Sequence, residues 1–286
     1  MQNFNQQPIE NFSENQPQEI LVNDTPTPDN PTWNWITAFG VWLASIVFLV
    51  LPSILVVFYA VTKNVEVGNA ENLKEFLLND PTAILIQIIL VIPAHALTLA
   101  LAWTVVTNLN KFSFRESLGW KWGGFKFWHI AVILVVFFLL AAALTALIGE
   151  QDNELMRILR SSRSAVYIVA FLATFSAPIV EEVIYRGIIY SAFYKAFGVV
   201  TAVIAASTLF AGVHFLQYNG DVTALIMICL LSLVLTLIRV RTRNLLPCIV
   251  FHTVFNGIQS MLLILQPYIN FGNETEQQVA LFNLWK

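Results

Sequence analysis

Charge is what this 286-residue sequence has least of: Asp, Glu, Lys and Arg make up 12% of it, about half the share of an ordinary soluble domain. Fifteen Lys and Arg stand against eighteen Asp and Glu, with no basic stripe, so no nucleic-acid partner is expected. Cysteine is nearly missing. Cys229 and Cys248 form no CxxC, which excludes a disulfide framework, and both fall in apolar runs as expected buried free thiols. Residues 1–32 contain no Lys or Arg and few large apolar side chains. That stretch does not read as a signal peptide. Its Gln, Asn, Pro and Glu predict a disordered polar tail. No internal repeat of the kind that marks many transporters is present.

What the chain does have is hydrophobic length. Apolar residues make up 57% of the sequence, and the mean hydropathy is +0.68. Apolar segments fall at 35–62, 83–108, 127–148, 165–197, 199–217, 222–240 and 245–266, where a helical span takes roughly 20 residues. The reading is an all-α polytopic membrane bundle of about seven transmembrane helices, range six to eight, embedded multi-pass in the cell membrane. The expected organisation is the tail at 1–32, N-terminal transmembrane helices at 33–164, a core at 165–266 and a short C-terminal tail at 267–286. Trp33, Trp35, Trp103, Trp120, Trp122 and Trp128 lie near span ends, where indoles favour the headgroup region. Trp42 lies deeper and reads as a packing residue. With the N-terminus inside, seven spans give eight basic residues on the cytoplasmic side against six opposite.

The segment at 165–197 is long for one span. Thirty-three residues at 1.5 Å rise give about 50 Å, against a hydrocarbon core of about 30 Å. It must project into water or break. Pro178 is the expected break, with Ser176 available to bond the freed backbone groups.

Ionisable groups within spans cost roughly 2.5–3.5 kcal/mol each at the bilayer centre, so they concentrate where they pair, line water or do chemistry. Three groups stand out. In Glu181-Glu182-Val183-Ile184-Tyr185-Arg186, Glu182 and Arg186 are four apart and can pair on a helix, leaving Glu181 as a surplus acid suited to general-base work. In Phe210-Ala211-Gly212-Val213-His214, small residues would let another helix approach the histidine closely. In His252-Thr253-Val254-Phe255-Asn256, the two polar side chains share a helical face and could donate to one oxyanion. Each group alone also reads as an interhelical ion pair or hydrogen bond. His95 and His129 read as packing and interface residues, and Arg239, Arg241 and Arg243 as an anchor to anionic headgroups.

The order EExxxR, FxxxH, HxxxN, each in or beside an apolar helix, resembles the CPBP intramembrane proteases (CAAX processing and bacteriocin processing, also called Abi). The likeness runs over roughly 165–262, with Tyr185 where that family more usually has Phe. It implies an intramembrane endopeptidase acting on a membrane-associated peptide or protein, by CAAX-type or leader-peptide processing. Glu181 with His214 would activate water, His252 and Asn256 would stabilise the oxyanion, and Glu182 with Arg186 would fix the helix. A divalent metal such as Zn²⁺ on Glu181, His214 and His252, with Glu182 as base, is the second form of the mechanism, although the sequence has no HExxH. Two other functions remain: a catalytically silent scaffold of bacteriocin-immunity type, and a proton-coupled transporter using the same Glu and His as a relay.

Overall fold

The computed structural model describes residues 25–51, 53–149, 158, 159, 163–215, 217, 218, 220–265 and 268. Every apolar segment of the sequence is helical. Among the described residues six helices are long and apolar enough to cross a membrane: Trp35–Thr62, Pro81–Val106, Phe127–Ile148, Arg163–Phe197, Val222–Thr242 and Leu246–Leu265. The shorter apolar helix Val199–Phe215 makes the seventh segment. The protein is therefore an all-α, multi-pass integral membrane protein.

In chain order the helices are α1 (Trp35–Val50), α2 (Ser53–Thr62), α3 (Ala70–Asn79), α4 (Pro81–Ile89), α5 (Val91–Val106), α6 (Phe114–Leu118), α7 (Phe127–Ile148), α8 (Arg163–Phe197), α9 (Val199–Phe215), α10 (Val222–Thr242) and α11 (Leu246–Leu265). Polar caps mark their starts. Asn34, Asp80, Ser113 and Asp221 accept from the first-turn amides of α1, α4, α6 and α10, each cap being worth about 1 kcal/mol. Helix α8 is central and packs on α1, α4, α5, α9 and α11. One apolar core joins α1, α5, α8 and α9 through Ala38, Val106, Ile188 and Phe210. A second joins α7, α10 and α11 through Phe137, Leu235, Phe251 and Phe255.

Pro178 does not break α8. The helix runs through it, buried, and changes register instead: Leu172–Ser176 and Val183–Ile189 are π-helical, with the α-helical stretch Ala177–Glu182 between them. The wider π turn takes up the proline ring that an α turn would meet at the carbonyl of residue i−4. Ser176 turns to His95 rather than to the backbone, with His95 Nδ1 2.8 Å from Ser176 Oγ.

Residues 25–32 fall in the stretch expected to be a disordered tail, yet together with Trp33 they lie against the bundle as a strap. Thr27 and Asn30 close a turn through paired backbone bonds. Trp33 is buried and donates Nε1–H to Ile188 O at 3.1 Å, so it is not a headgroup residue. Lys195 Nζ donates to Pro31 O at 2.7 Å. Arg239 is fully buried and is no headgroup anchor: it donates to Pro28 O at 2.8 Å and Asp29 Oδ1 at 3.3 Å, and its guanidinium lies 4.9 Å from the Tyr190 ring centroid. Polar bonds hold the strap, and hydrophobicity along the sequence does not register them. Residues 1–24 lie outside the described part. Gly119, at φ +76°, lies under the strap, where a Cβ would meet Pro28 and Asn244 Oδ1 at 2.8 Å. Trp33→Phe keeps a ring and removes the bond to Ile188 O. The expected loss is about 1 kcal/mol, measured by reversible denaturation in mixed micelles; an unchanged midpoint would mean that this bond contributes nothing.

The same end of the bundle gathers Lys111, Arg115, Lys121, Lys126, Lys195, Arg239, Arg241 and Arg243 against Asp29 and Glu116. Cys248 is buried as expected, whereas Cys229 is exposed on the outer face of α10, where lipid rather than protein covers an apolar thiol.

Candidate active site

The two adjacent carboxylates occupy the end of the α-helical stretch of α8, between its π turns. Glu182 is fully buried. Its Oε1 accepts from Arg186 Nη1 at 2.9 Å, the four-residue pairing that the sequence suggested. Arg186, equally buried, spends its other donors on α10: Nη2 bonds Ser232 O at 2.8 Å and Ser232 Oγ at 2.9 Å, and Nε bonds Thr236 Oγ1 at 3.4 Å. Its guanidinium also lies 4.7 Å from the Phe210 ring centroid of α9. One buried cation thus ties three helices together.

Two histidines complete the cluster. His252 of α11 donates Nδ1–H to Glu182 Oε1 at 2.8 Å, and its Nε2 stands 3.7 Å from Glu181 Oε2. His214 of α9 donates Nδ1–H to Phe210 O at 2.8 Å, and its Nε2 stands 3.9 Å from Glu181 Oε1. In each ring the partner of Nδ1 fixes which nitrogen is left for the site. Glu181 keeps 22% of its side chain accessible and His214 18%, against 0% for Glu182 and 3% for His252. The accessible carboxylate is therefore the one between the two Nε2 atoms. Glu182 Oε2 is buried with no hydrogen-bond partner among the described residues.

His214 comes late in its apolar segment and His252 early in its own, positions that antiparallel neighbours of full length would hold at different depths, yet the packing brings them level. Glu181 and His214 are 17 and 16 residues from the α8–α9 turn at Gly198, so both lie about 25 Å beneath it. Helix α11 starts far below that turn: Leu245 and Leu118 pack on Gly187, where a Cβ would meet Leu118 at 3.1 Å. Seven residues on from Leu245, His252 reaches the level that Glu181 reaches six residues before Gly187.

Asn256, one turn beyond His252, donates Nδ2–H to Ala173 O at 2.8 Å, within the first π turn. Around this core lie residues that sequence patterns did not mark as part of a site. His95 reaches Ser176 from α5. Trp42 donates Nε1–H to the Tyr185 hydroxyl at 3.3 Å. Tyr218 is half-buried beyond α9, its ring inclined 29° to that of His214 with centroids 6.5 Å apart. Burial, reinforced by Glu181 and Asp221, pushes the Tyr218 phenol up to about 12, so it stays a neutral donor at physiological pH. The one sequence signal for Tyr218 is its spacing of four from His214. His129 lies outside this cluster and caps the start of α7, accepting at Nδ1 from Lys126 N–H at 2.9 Å.

In donor type the site fits Zn²⁺: two imidazoles with Nδ1 already engaged, and a carboxylate between their Nε2 atoms. In spacing the cluster is more open, and among the described residues no three His, Cys, Asp or Glu side chains stand as a metal-ligand set.

Fold and site together define the class, a helical membrane protein with a paired-carboxylate, two-histidine cluster enclosed in its bundle. Residues 163–258 match the family model described as type II CAAX prenyl endopeptidase Rce1-like, which bears out the resemblance to the CPBP proteases. The matched stretch covers about a third of the chain and contains Glu181, Glu182, Arg186, His214, His252 and Asn256. Over that stretch the protein is similar to CAAX-type intramembrane endopeptidases. No curated protein and no solved structure matches the chain.

Proposed function

We propose that the protein hydrolyses a peptide bond near the lipidated, CAAX-type C-terminus of a membrane-associated peptide or protein, using Glu181 as general base. The observation that carries this reading is the division of labour between the adjacent acids. Glu182 is sealed between Arg186 and His252, while Glu181 is accessible and faces both Nε2 atoms. A separation of 3.7–3.9 Å is too long for a good hydrogen bond and leaves each histidine within reach of a water held by Glu181.

In the reaction Glu181 takes a proton from water, with His214 Nε2 orienting it, and the water oxygen attacks the carbonyl carbon. Negative charge then develops on the carbonyl oxygen. His252, its ring fixed through Nδ1 by Glu182, presents Nε2 to that oxygen and would serve as a donor once that nitrogen carries a proton. Asn256 supplies the second donor through the Nδ2–H that Ala173 O does not take. Collapse of the intermediate breaks the C–N bond, and the proton held by Glu181 passes to the leaving amine. A divalent ion, if bound by Glu181, His214 and His252, would lower the pKa of the attacking water. The burial of Glu182 counts against its serving as the base in that form.

The test is cleavage of a prenylated peptide with a CAAX end by the purified protein in liposomes, with and without a strong chelator. Release of the C-terminal fragment is the expected result. Activity lost to chelation and restored by Zn²⁺ would assign the ion, and activity that persists would assign water activation to the side chains. Absence of cleavage across prenylated and unprenylated membrane-tethered peptides would sink the proposal.

A further inference from the structure

Pro178 and Asn256 meet through a single carbonyl. Ala173 O belongs to the first π turn of α8 and accepts Asn256 Nδ2–H at 2.8 Å. In α register its backbone donor would be the amide of residue 177, and in π register that of residue 178. Neither is available. Ala177 N–H reaches back to Leu172 O instead, and residue 178 is proline, which has no N–H. The orphaned carbonyl lies within the bundle, three helical residues from the stretch that bears Glu181 and Glu182, and an unpaired carbonyl in an apolar setting costs about 1–3 kcal/mol. Asn256 fills that need with one of its two amide hydrogens and thereby fixes the plane of its side-chain amide.

We propose that Pro178 is a positioning residue for Asn256: by withholding a backbone donor from Ala173 O, it keeps that carbonyl as the anchor which orients the amide for catalysis. This rests on the reading of Asn256 as an oxyanion donor and gives that reading a physical basis. An asparagine side chain has two freely turning torsions, and a donor that must reorganise during the reaction stabilises developing charge less than one held in place. The anchored N–H holds the amide, and the second N–H on the same nitrogen is left with a set direction. His252, one turn earlier, is held in the same way from the same helix, by Glu182. Helix α8 thus supplies the general base and also an acceptor behind each of the two oxyanion donors of α11.

The decisive experiment pairs kinetics with a thermal double-mutant cycle on the full-length protein in detergent and liposomes. Pro178→Ala introduces an N–H that reaches Ala173 O in π register and competes with Asn256. It is a helix-favouring substitution, so the variant is expected to fold with a melting temperature no lower than wild type. Its kcat should fall by about ten-fold or more, short of the 10²–10³ lost when an oxyanion donor is removed outright, with KM unchanged. Asn256→Ala should lower the melting temperature clearly in the wild-type background. It should do so much less in the Pro178→Ala background, where the backbone now satisfies the carbonyl. Wild-type kcat in Pro178→Ala would overturn the proposal, and so would an equal thermal cost of Asn256→Ala in both backgrounds. If the wild type cleaves nothing, the protease reading fails with the catalytic half of this proposal, while the thermal cycle still decides whether Pro178 creates the anchor.

Discussion

Glu181→Gln leaves a folded, membrane-inserted protein that cleaves a tethered CAAX peptide at least about 10²-fold more slowly than wild type, and up to 10⁴-fold for a general base. The substitution keeps shape and hydrogen bonding capacity, and Glu181 makes no short bond that holds two helices together: its contacts to His214 and His252 are 3.9 and 3.7 Å. Stability should therefore change little while the rate collapses. The measurement is single-turnover cleavage beside a melting curve on the same preparation. Cleavage within about three-fold of wild type would remove Glu181 from the chemistry, since a positioned base contributes roughly 10²–10⁴. A collapse of both rate and melting temperature would instead place it among the structural residues.

Arg186→Met has the opposite signature. Arg186 and Glu182 are both fully buried, so deleting the cation strands a carboxylate in the bundle. Breaking one partner of a buried pair costs about 3–5 kcal/mol. The loss should exceed that of any surface charge substitution, because Ser232 O, Ser232 Oγ and Thr236 Oγ1 also lose a donor. The double variant Glu182→Gln, Arg186→Met should recover part of the loss, since no unpaired charge then remains, though His252 would face an amide in place of a carboxylate. Reversible denaturation of the three proteins reads this directly. A cost below about 1 kcal/mol for Arg186→Met would show that water reaches Glu182 and that the pair is not buried in the working protein.

Much of this was legible in the sequence. The seven apolar segments were visible because a bilayer demands about 20 apolar residues per span, and that demand is written residue by residue. The i, i+4 spacing of Glu182 with Arg186 is equally local, and their predicted pair forms. The anchor role read for Arg239 did not survive, because Pro28 and Asp29, more than 200 positions away, bury it. Trp33 looked like an interfacial indole for the same reason: its partner, Ile188 O, is remote in sequence. Pro178 looked like a break because a proline rule written for α-helices omits the π register that accommodates it.

By itself, then, the sequence determined a helical membrane bundle and the set of polar residues that such a bundle must either pair or use. Those follow from hydropathy and helical periodicity, which act within a single turn or a single span. Only the tertiary structure decided that α11 begins level with Gly187 rather than at the α8–α9 turn. That placement brings His252 and His214 to the same carboxylate. It depends on close packing of Leu118 and Leu245 on a glycine of another helix, an approach with no trace in the local pattern of any one segment. The same holds for the assignment of the two acids. Adjacent in sequence and alike in chemistry, Glu181 and Glu182 differ because one side of α8 meets Arg186, His252 and the protein interior, while the other opens between two histidines.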